Sequence, residues 1–107
     1  GYTSFSCLRE LPANAIKIDG ALIKNMLSKE SNIAIVRTIV ELTRNLEMQC
    51  IAEWVEDIDT LIALKKMGVH YVQGFVISRP CKPEDILRAT DIRSLIKDPA
   101  VIQLLQQ

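Results

Sequence analysis

The sequence has no excess of charge of either sign and no long apolar segment. Its 107 residues include 13 Lys and Arg against 13 Asp and Glu, so the formal net charge is zero. Nucleic acids and anionic membrane surfaces select basic proteins, so this balance argues against both as partners. No apolar run approaches the roughly 20 residues that a membrane-spanning helix needs. The first residues lack the basic start and apolar stretch of a signal peptide, and we expect no membrane segment in this chain.

Cysteine and histidine are scarce, and neither suggests a metal site. Cys7, Cys50 and Cys81 are odd in number and far apart, so no pair has the spacing of zinc ligands. They favour reduced, mostly buried thiols in a cytoplasmic protein, with a disulfide or a zinc site as minor alternatives. His70 is the one histidine, without a carboxylate or cysteine beside it in sequence. We therefore predict a structural or merely exposed role for it.

What the sequence does contain is an alternation of short apolar runs with helical patterns. The apolar runs, which predict buried strands, are residues 15–19, 50–55 and 70–74. Helical spacing of apolar residues predicts helices over residues 3–11, 21–28, 31–47, 57–67, 82–87 and 91–107. Ser31 or Asn32 is suited to cap the third helix, and Gly68 to end the fourth. Strands that alternate with helices indicate an α/β fold with parallel strands, and three such strands can form part of a barrel.

Polar residues stand in or at the end of each predicted strand. Lys17 lies between two isoleucines, Glu53 follows an apolar run, and Gln73 follows Tyr71 and Val72. In parallel α/β barrels, ligand-binding residues gather at the carboxyl ends of the strands, so these three side chains could hold an anionic ligand or a water. Simpler explanations remain open: a salt bridge between Lys17 and Asp19, a solvated strand end at Glu53, and a turn at Gln73.

Five segments resemble, in order, motifs of the EAL domain family of cyclic-di-GMP phosphodiesterases. The segments are Gly1–Phe5 and Leu8–Pro12 (GYSSL…LRxLP), Ile16–Asp19 (KID), Ile51–Glu56 (AEGVE), and Tyr71–Phe75 with Ser78–Pro80 (YVQGY…S(R/K)P). Each motif alone is weakly specific, but five in order are highly specific. The resemblance covers about residues 1–88 and predicts the C-terminal portion of an EAL domain there. Residues 89–107 carry no motif and are predicted to form a helical C-terminal tail.

The resemblance implies a fold and an activity. The family fold is a modified, TIM-like (β/α)8 barrel of about 250 residues, of which this chain would supply about three parallel strands with their helices. The family hydrolyses cyclic-di-GMP to linear pGpG in bacterial second-messenger signalling, with two Mg²⁺ or Mn²⁺ ions. The partner implied for the parent domain is thus cyclic-di-GMP.

The same resemblance implies roles for individual residues. Lys17 would hold the attacking water, and Glu53 would be the glutamate of the catalytic centre. Gln73 would lie near the metals and the substrate phosphate. Glu56, also expected near the substrate, would support a loop, and Asp19 would have a structural role.

The sequence also departs from the family pattern. The EAL glutamate, an asparagine, a further glutamate and the aspartate pair that supply most metal ligands are expected upstream of Gly1. We therefore predict no complete metal site and no hydrolysis by this chain alone. Trp54 stands where the motif has glycine, and its indole could crowd the site or pack outside the barrel. The alternative function is a degenerate, non-catalytic module that binds cyclic-di-GMP or a protein. A partial barrel leaves a sheet face uncovered, so we expect the chain to be either a proteolytic remnant of a larger protein or part of a homodimer that buries this face. An unrelated α/β barrel with chance motifs is the remaining alternative.

Overall fold

A computed structural model describes residues 7–74 and 77–89, which form a four-stranded sheet with helices packed on one face. The elements in chain order are β1 (Ala15–Ile18), α1 (Gly20–Lys24), a 3₁₀ turn (Met26–Ser28), α2 (Glu30–Asn45), β2 (Gln49–Val55), α3 (Ile58–Met67), β3 (Tyr71–Gly74), β4 (Ile77–Cys81) and α4 (Pro83–Ala89). The helix predicted over residues 91–107 lies outside the described residues. So does the predicted tail, apart from its first residue.

The strands follow the order β1-β2-β3-β4, with β1, β2 and β3 parallel and β4 antiparallel to β3. The prediction of three parallel strands with helical crossovers is thus confirmed. The fourth strand was not predicted. It contains Pro80, which has no N–H for a sheet hydrogen bond and is therefore tolerated at the edge of a sheet rather than at its centre.

The hydrophobic core lies between the sheet and the helices. Side chains of alternate residues on β1, β2 and β3 meet apolar side chains of α1, α2 and α3 there. The members that are at most 2% exposed include Ile18, Ile23, Met26, Val36, Val40, Cys50, Ala52, Val55, Leu61, Leu64 and Val72. Each fully buried Leu, Ile, Val or Met contributes roughly 1.5–3 kcal/mol relative to its exposed state. This face of the sheet therefore supplies most of the stability.

Helix α3 begins and ends where the sequence predicts. Oδ1 of Asp57 accepts a hydrogen bond from the Thr60 N–H at 2.7 Å, and its Oδ2 accepts one from the Thr60 hydroxyl at 3.0 Å. Gly68 ends the helix with φ +98°, a conformation that glycine adopts without a steric penalty. Asp57 thus starts the helix after β2, and Gly68 ends it before β3.

The predicted start of α2 is wrong. The helix begins at Glu30 after Lys29, whose side chain makes no capping hydrogen bond. Neither Ser31 nor Asn32 occupies the capping position. The Asn32 side chain instead donates to the carbonyl of Asn25 at 2.9 Å and so connects α2 to the turn before it.

The segment before β1 and the cysteines also differ from expectation. Residues 7–11 are not helical, so the predicted helix over residues 3–11 is wrong there, while residues 3–6 lie outside the described residues. Cys7 forms a disulfide with Cys81, so the expectation of reduced thiols is wrong for this pair. Cys50 is free and buried. Burial raises the pKa of the Cys50 thiol, and a hydrogen bond with Thr43 offsets only part of that effect.

Within the described part of the chain, no helix combines the length and the apolar character that crossing a bilayer requires.

Candidate functional site at the carboxyl ends of the parallel strands

Lys17, Glu53 and Gln73 lie on one face of the sheet. Lys17 is paired with Ile51 of β2, and Ile51 is paired with Tyr71 of β3. Paired residues of parallel strands point to the same face, as do residues two apart along one strand. The three polar residues therefore share the face opposite the helical core.

The three polar residues occupy two levels along the strands. Lys17 is level with Ile51, whereas Glu53 and Gln73 lie two residues further toward the carboxyl ends. Two residues correspond to about 6.6 Å along a strand, and neighbouring strands are about 4.8 Å apart. Lys17 is exposed, and Glu53 and Gln73 are partly exposed. The extended lysine side chain can thus reach the space in front of the other two.

A bulge in β2 adds one residue next to Glu53. Ala52 is paired with Val72 and Val55 with Gly74, so two residues of β2, Glu53 and Trp54, face one residue of β3. Gly74 has φ +148°, and a Cβ there would overlap the carbonyl oxygen of Val55. Glycine at position 74 therefore allows the close backbone approach on which the bulge depends.

Trp54 packs outside the face that carries the polar residues. Its φ is +61°, a left-handed conformation that is rare for a bulky side chain. A Cβ at Gly20 would overlap Cγ and Cδ2 of the indole, so the ring lies directly on the first residue of α1. The side chain remains 55% exposed. The contact that the structure shows for the indole is therefore with the start of α1.

Glu56 lies beyond the strands that carry the other three predicted site residues. It is exposed just beyond the end of β2. It lines a cleft of about 460 Å³ together with Trp54, Asp57 and Thr60 and with residues of α1. Its predicted place near the substrate stays a prediction, and its position beside the β2–α3 connection is suited to supporting that loop.

Asp19 has the structural role that was predicted. Its Oδ1 accepts a hydrogen bond from the Ala21 N–H at 2.9 Å and so caps α1. Among the described residues no ion pair joins Lys17 to Asp19. A salt bridge at the strand edge therefore does not account for Lys17.

His70 lies at the opposite, amino end of the strands. The ring Nδ1 of His70 accepts a hydrogen bond from the Cys50 backbone N–H at 3.0 Å, and the backbone N–H of His70 donates to the Cys50 carbonyl at 3.2 Å. An accepting Nδ1 places the proton of the neutral ring on Nε2. The predicted structural role is confirmed, and His70 takes no part in the site at the carboxyl ends.

The described residues do not fit a divalent-metal centre on their own. Within residues 7–74 and 77–89, no three His, Cys, Asp or Glu side chains come close enough together to hold an ion. Mg²⁺ needs near-octahedral oxygen coordination, which Glu53 and Gln73 alone cannot supply. Lys17, Glu53 and Gln73 are the predicted site residues that this face of the sheet brings together.

The contact between Gly20 and Trp54 and the disulfide were not foreseen. The motif offered a signal for Trp54, because a glycine in the family pattern indicates a backbone conformation that other residues adopt with strain. No comparable signal identified Gly20 or the Cys7–Cys81 pair, since both depend on contacts between residues far apart in sequence.

Comparison with known proteins agrees with this architecture. Residues 1–80 match the EAL domain family. The match covers most of the sequence and contains Lys17, Glu53, Glu56 and Gln73. The chain therefore belongs to the EAL domain family.

The curated relatives are much longer than this chain. Cyclic di-GMP phosphodiesterase PdeB of Shewanella oneidensis is 38% identical over 80 residues, which are 75% of this chain and 9% of that protein. Probable cyclic di-GMP phosphodiesterase PdeA of Escherichia coli is also 38% identical over 80 residues, 11% of its length. The chain thus spans about a tenth of these relatives.

Two solved EAL structures share this fold over about a third of their length. The PaMucR phosphodiesterase in complex with c-di-GMP is 36% identical with a TM-score of 0.58, covering 71% of this chain and 31% of that one. An EAL domain protein from Listeria monocytogenes is 33% identical with a TM-score of 0.57, covering 78% and 34%. The sheet and helices described above are therefore part of a TIM-like barrel.

Proposed function

We propose that this chain supplies one side of the active site of a cyclic-di-GMP phosphodiesterase. The observation that carries the proposal is that Lys17, Glu53 and Gln73 share one sheet face near the carboxyl ends of three adjacent parallel strands. That end is where barrel enzymes build their sites. Similar EAL proteins are named cyclic-di-GMP phosphodiesterases, and the reaction that we propose is hydrolysis of cyclic-di-GMP to linear pGpG.

The three side chains have complementary tasks in such a reaction. Water attacks the phosphorus of one phosphodiester, and the bond to the 3′ oxygen breaks, so that the 5′ phosphate stays on pGpG. The Lys17 ammonium orients the water and offsets the charge that develops on the phosphoryl oxygens. Glu53 accepts a proton from the water, and Gln73 donates an amide N–H to a phosphate oxygen.

The Mg²⁺ or Mn²⁺ of the complete domain belongs to the proposal as well. When bound, such an ion neutralises phosphate charge and lowers the pKa of a coordinated water. The described residues do not fit this group by themselves, so we propose that its ligands come mostly from other parts of the complete domain. The chain alone is expected to be inactive.

The test of inactivity uses the purified 107-residue chain with cyclic-di-GMP and either Mg²⁺ or Mn²⁺. Chromatography of the reaction is expected to show no pGpG above the enzyme-free control. Measurable turnover would refute the proposal that the metal site is incomplete. In the complete domain, Lys17→Met or Glu53→Gln is expected to lower kcat by about 100-fold or more. Lys65→Met, a change of an exposed lysine on α3 away from the site, serves as the matched control.

A non-catalytic module that binds cyclic-di-GMP is the second candidate, and Trp54 favours it. A bulky residue held at φ +61° in place of glycine is a departure at the residue next to Glu53. Calorimetry with cyclic-di-GMP, with and without Mg²⁺, separates the two candidates. Saturable, metal-independent binding that is lost in Lys17→Met and kept in Lys65→Met would support the binding module. A homodimer remains a further proposal, which light scattering tests.

A further inference from the structure

The disulfide lies on the outer edge of the sheet. In β4, Cys81 is paired with Val72 of β3 on one side and with Cys7 on the other. Next to it the Leu8 N–H donates to the carbonyl of Pro80 at 2.7 Å. Residues 7 and 8 therefore cover the edge of β4 that would otherwise be the outermost strand edge.

From this edge the chain passes to the opposite edge of the sheet. β1 and β4 are the two outer members of the strand order, and residues 8–14, the crossing segment, connect Cys7 to β1. Two hydrogen bonds at Asn14 hold the far end of the crossing segment. The Asn14 backbone carbonyl accepts from the Gln49 N–H at 2.9 Å, and the Asn14 side-chain amide donates to the Glu47 backbone carbonyl at 3.5 Å. The near end is held by the disulfide and by Leu8.

We propose that the Cys7–Cys81 disulfide is a redox-controlled link, the clip, between β4 and the crossing segment. Reduction of the clip releases the start of the crossing segment from β4, and oxidation attaches it again. A thiolate of a dithiol reductant attacks Sγ of Cys7, the S–S bond breaks, and Cys81 leaves as a thiolate that takes up a proton. The second thiol of the reductant then releases Cys7, so two electrons pass from the reductant to the cysteines. Glutathione disulfide reverses the reaction and is reduced to two molecules of glutathione.

The surroundings of the two sulfurs fit both redox states. Cys7 is partly exposed and can be reached by a reductant, whereas Cys81 is fully buried. Sγ of Cys81 lies 3.2 Å from the carbonyl oxygen of Arg79. The disulfide sulfur has no hydrogen to donate, but the thiol formed on reduction finds this acceptor in place. The reduced state therefore leaves no buried thiol without an acceptor.

The clip is tested by hydrogen exchange on the 107-residue chain, with and without dithiothreitol. Once the clip opens, the Leu8 amide is held by a single edge hydrogen bond, and its exchange is expected to accelerate by about ten-fold or more. Cleavage by trypsin after the exposed Arg9 is expected to accelerate in parallel. Glutathione disulfide is expected to restore both rates. Unchanged exchange at Leu8 after confirmed reduction would overturn the proposal.

Cysteine variants assign the effect to this pair. Cys7→Ser, at the more exposed partner, is expected to show fast Leu8 exchange under all conditions. Cys50→Ser is the matched control and is expected to keep the full redox response, because Cys50 is free and buried. A thiol titration of the unfolded, unreduced chain should find one thiol. Three thiols after exposure to glutathione disulfide, or loss of the response in Cys50→Ser, would also overturn the proposal.

Discussion

The two faces of the sheet differ in what they contain. On the helix-facing side, Ile18, Ala52 and Val72 are almost completely buried in the core. On the other side, Lys17, Glu53 and Gln73 come from the same three strands and remain at least partly exposed. The same short strands thus contribute core residues on one face and the candidate site on the other. Substitutions on the two faces should therefore affect different properties.

The largest expected effect comes from the helix-facing core. Leu64→Ala removes a fully buried side chain from α3 and leaves a cavity, because neighbouring strands and helices cannot collapse completely. We expect a loss of about 2–5 kcal/mol in the free energy of unfolding. Urea unfolding followed by circular dichroism measures it. Lys65→Ala, the exposed neighbour on α3, is the control, and equal effects of the two changes would show that burial of Leu64 does not set the loss.

An intermediate effect is expected where α1 meets the end of β2. Gly20→Ala forces a methyl group into the indole of Trp54 and should cost about 1–3 kcal/mol through overpacking. In a Trp54→Ala background the same change meets no ring and should be close to neutral. The double-mutant cycle, measured by urea unfolding, therefore gives a coupling energy between positions 20 and 54. Additive effects would show that the indole does not rest on Gly20.

The smallest expected effect on stability belongs to the polar face. Glu53→Gln keeps the size of the side chain, and among the described residues the Glu53 carboxylate has no ion pair to lose. We expect a change within about 0.5 kcal/mol in the free energy of unfolding, as for surface changes in general. The same substitution is proposed above to abolish most activity of the complete domain. A loss of stability comparable with that of Leu64→Ala would indicate that Glu53 is structural.

Features that depend on local patterns could be predicted from the sequence. The three parallel strands, helix α3 with its Asp57 and Gly68 ends, and the shared position of Lys17, Glu53 and Gln73 follow from apolar spacing and from the geometry of parallel strands. They are encoded within short segments, so one sequence suffices to find them.

Features that depend on distant partners could not be predicted. Cys7 and Cys81 are 74 residues apart, and pairing them requires the position of β4. The apolar spacing of residues 3–11 fits a helix, but residues 7 and 8 pair with the edge of β4 instead. Tertiary pairing overrides local propensity in that segment.

The extra residue in β2 also changes the phase of its hydropathy pattern. Glu53 and Val55 are two residues apart and would share a face in a regular strand, yet Val55 is fully buried among the helices while Glu53 is not. The additional residue at position 54 advances the alternation by one step. Because of this residue, the Glu53 carboxylate and the Val55 side chain lie on opposite faces of the sheet although they are only two residues apart in sequence. Shortening β2 by one residue here would place one of them in the wrong environment.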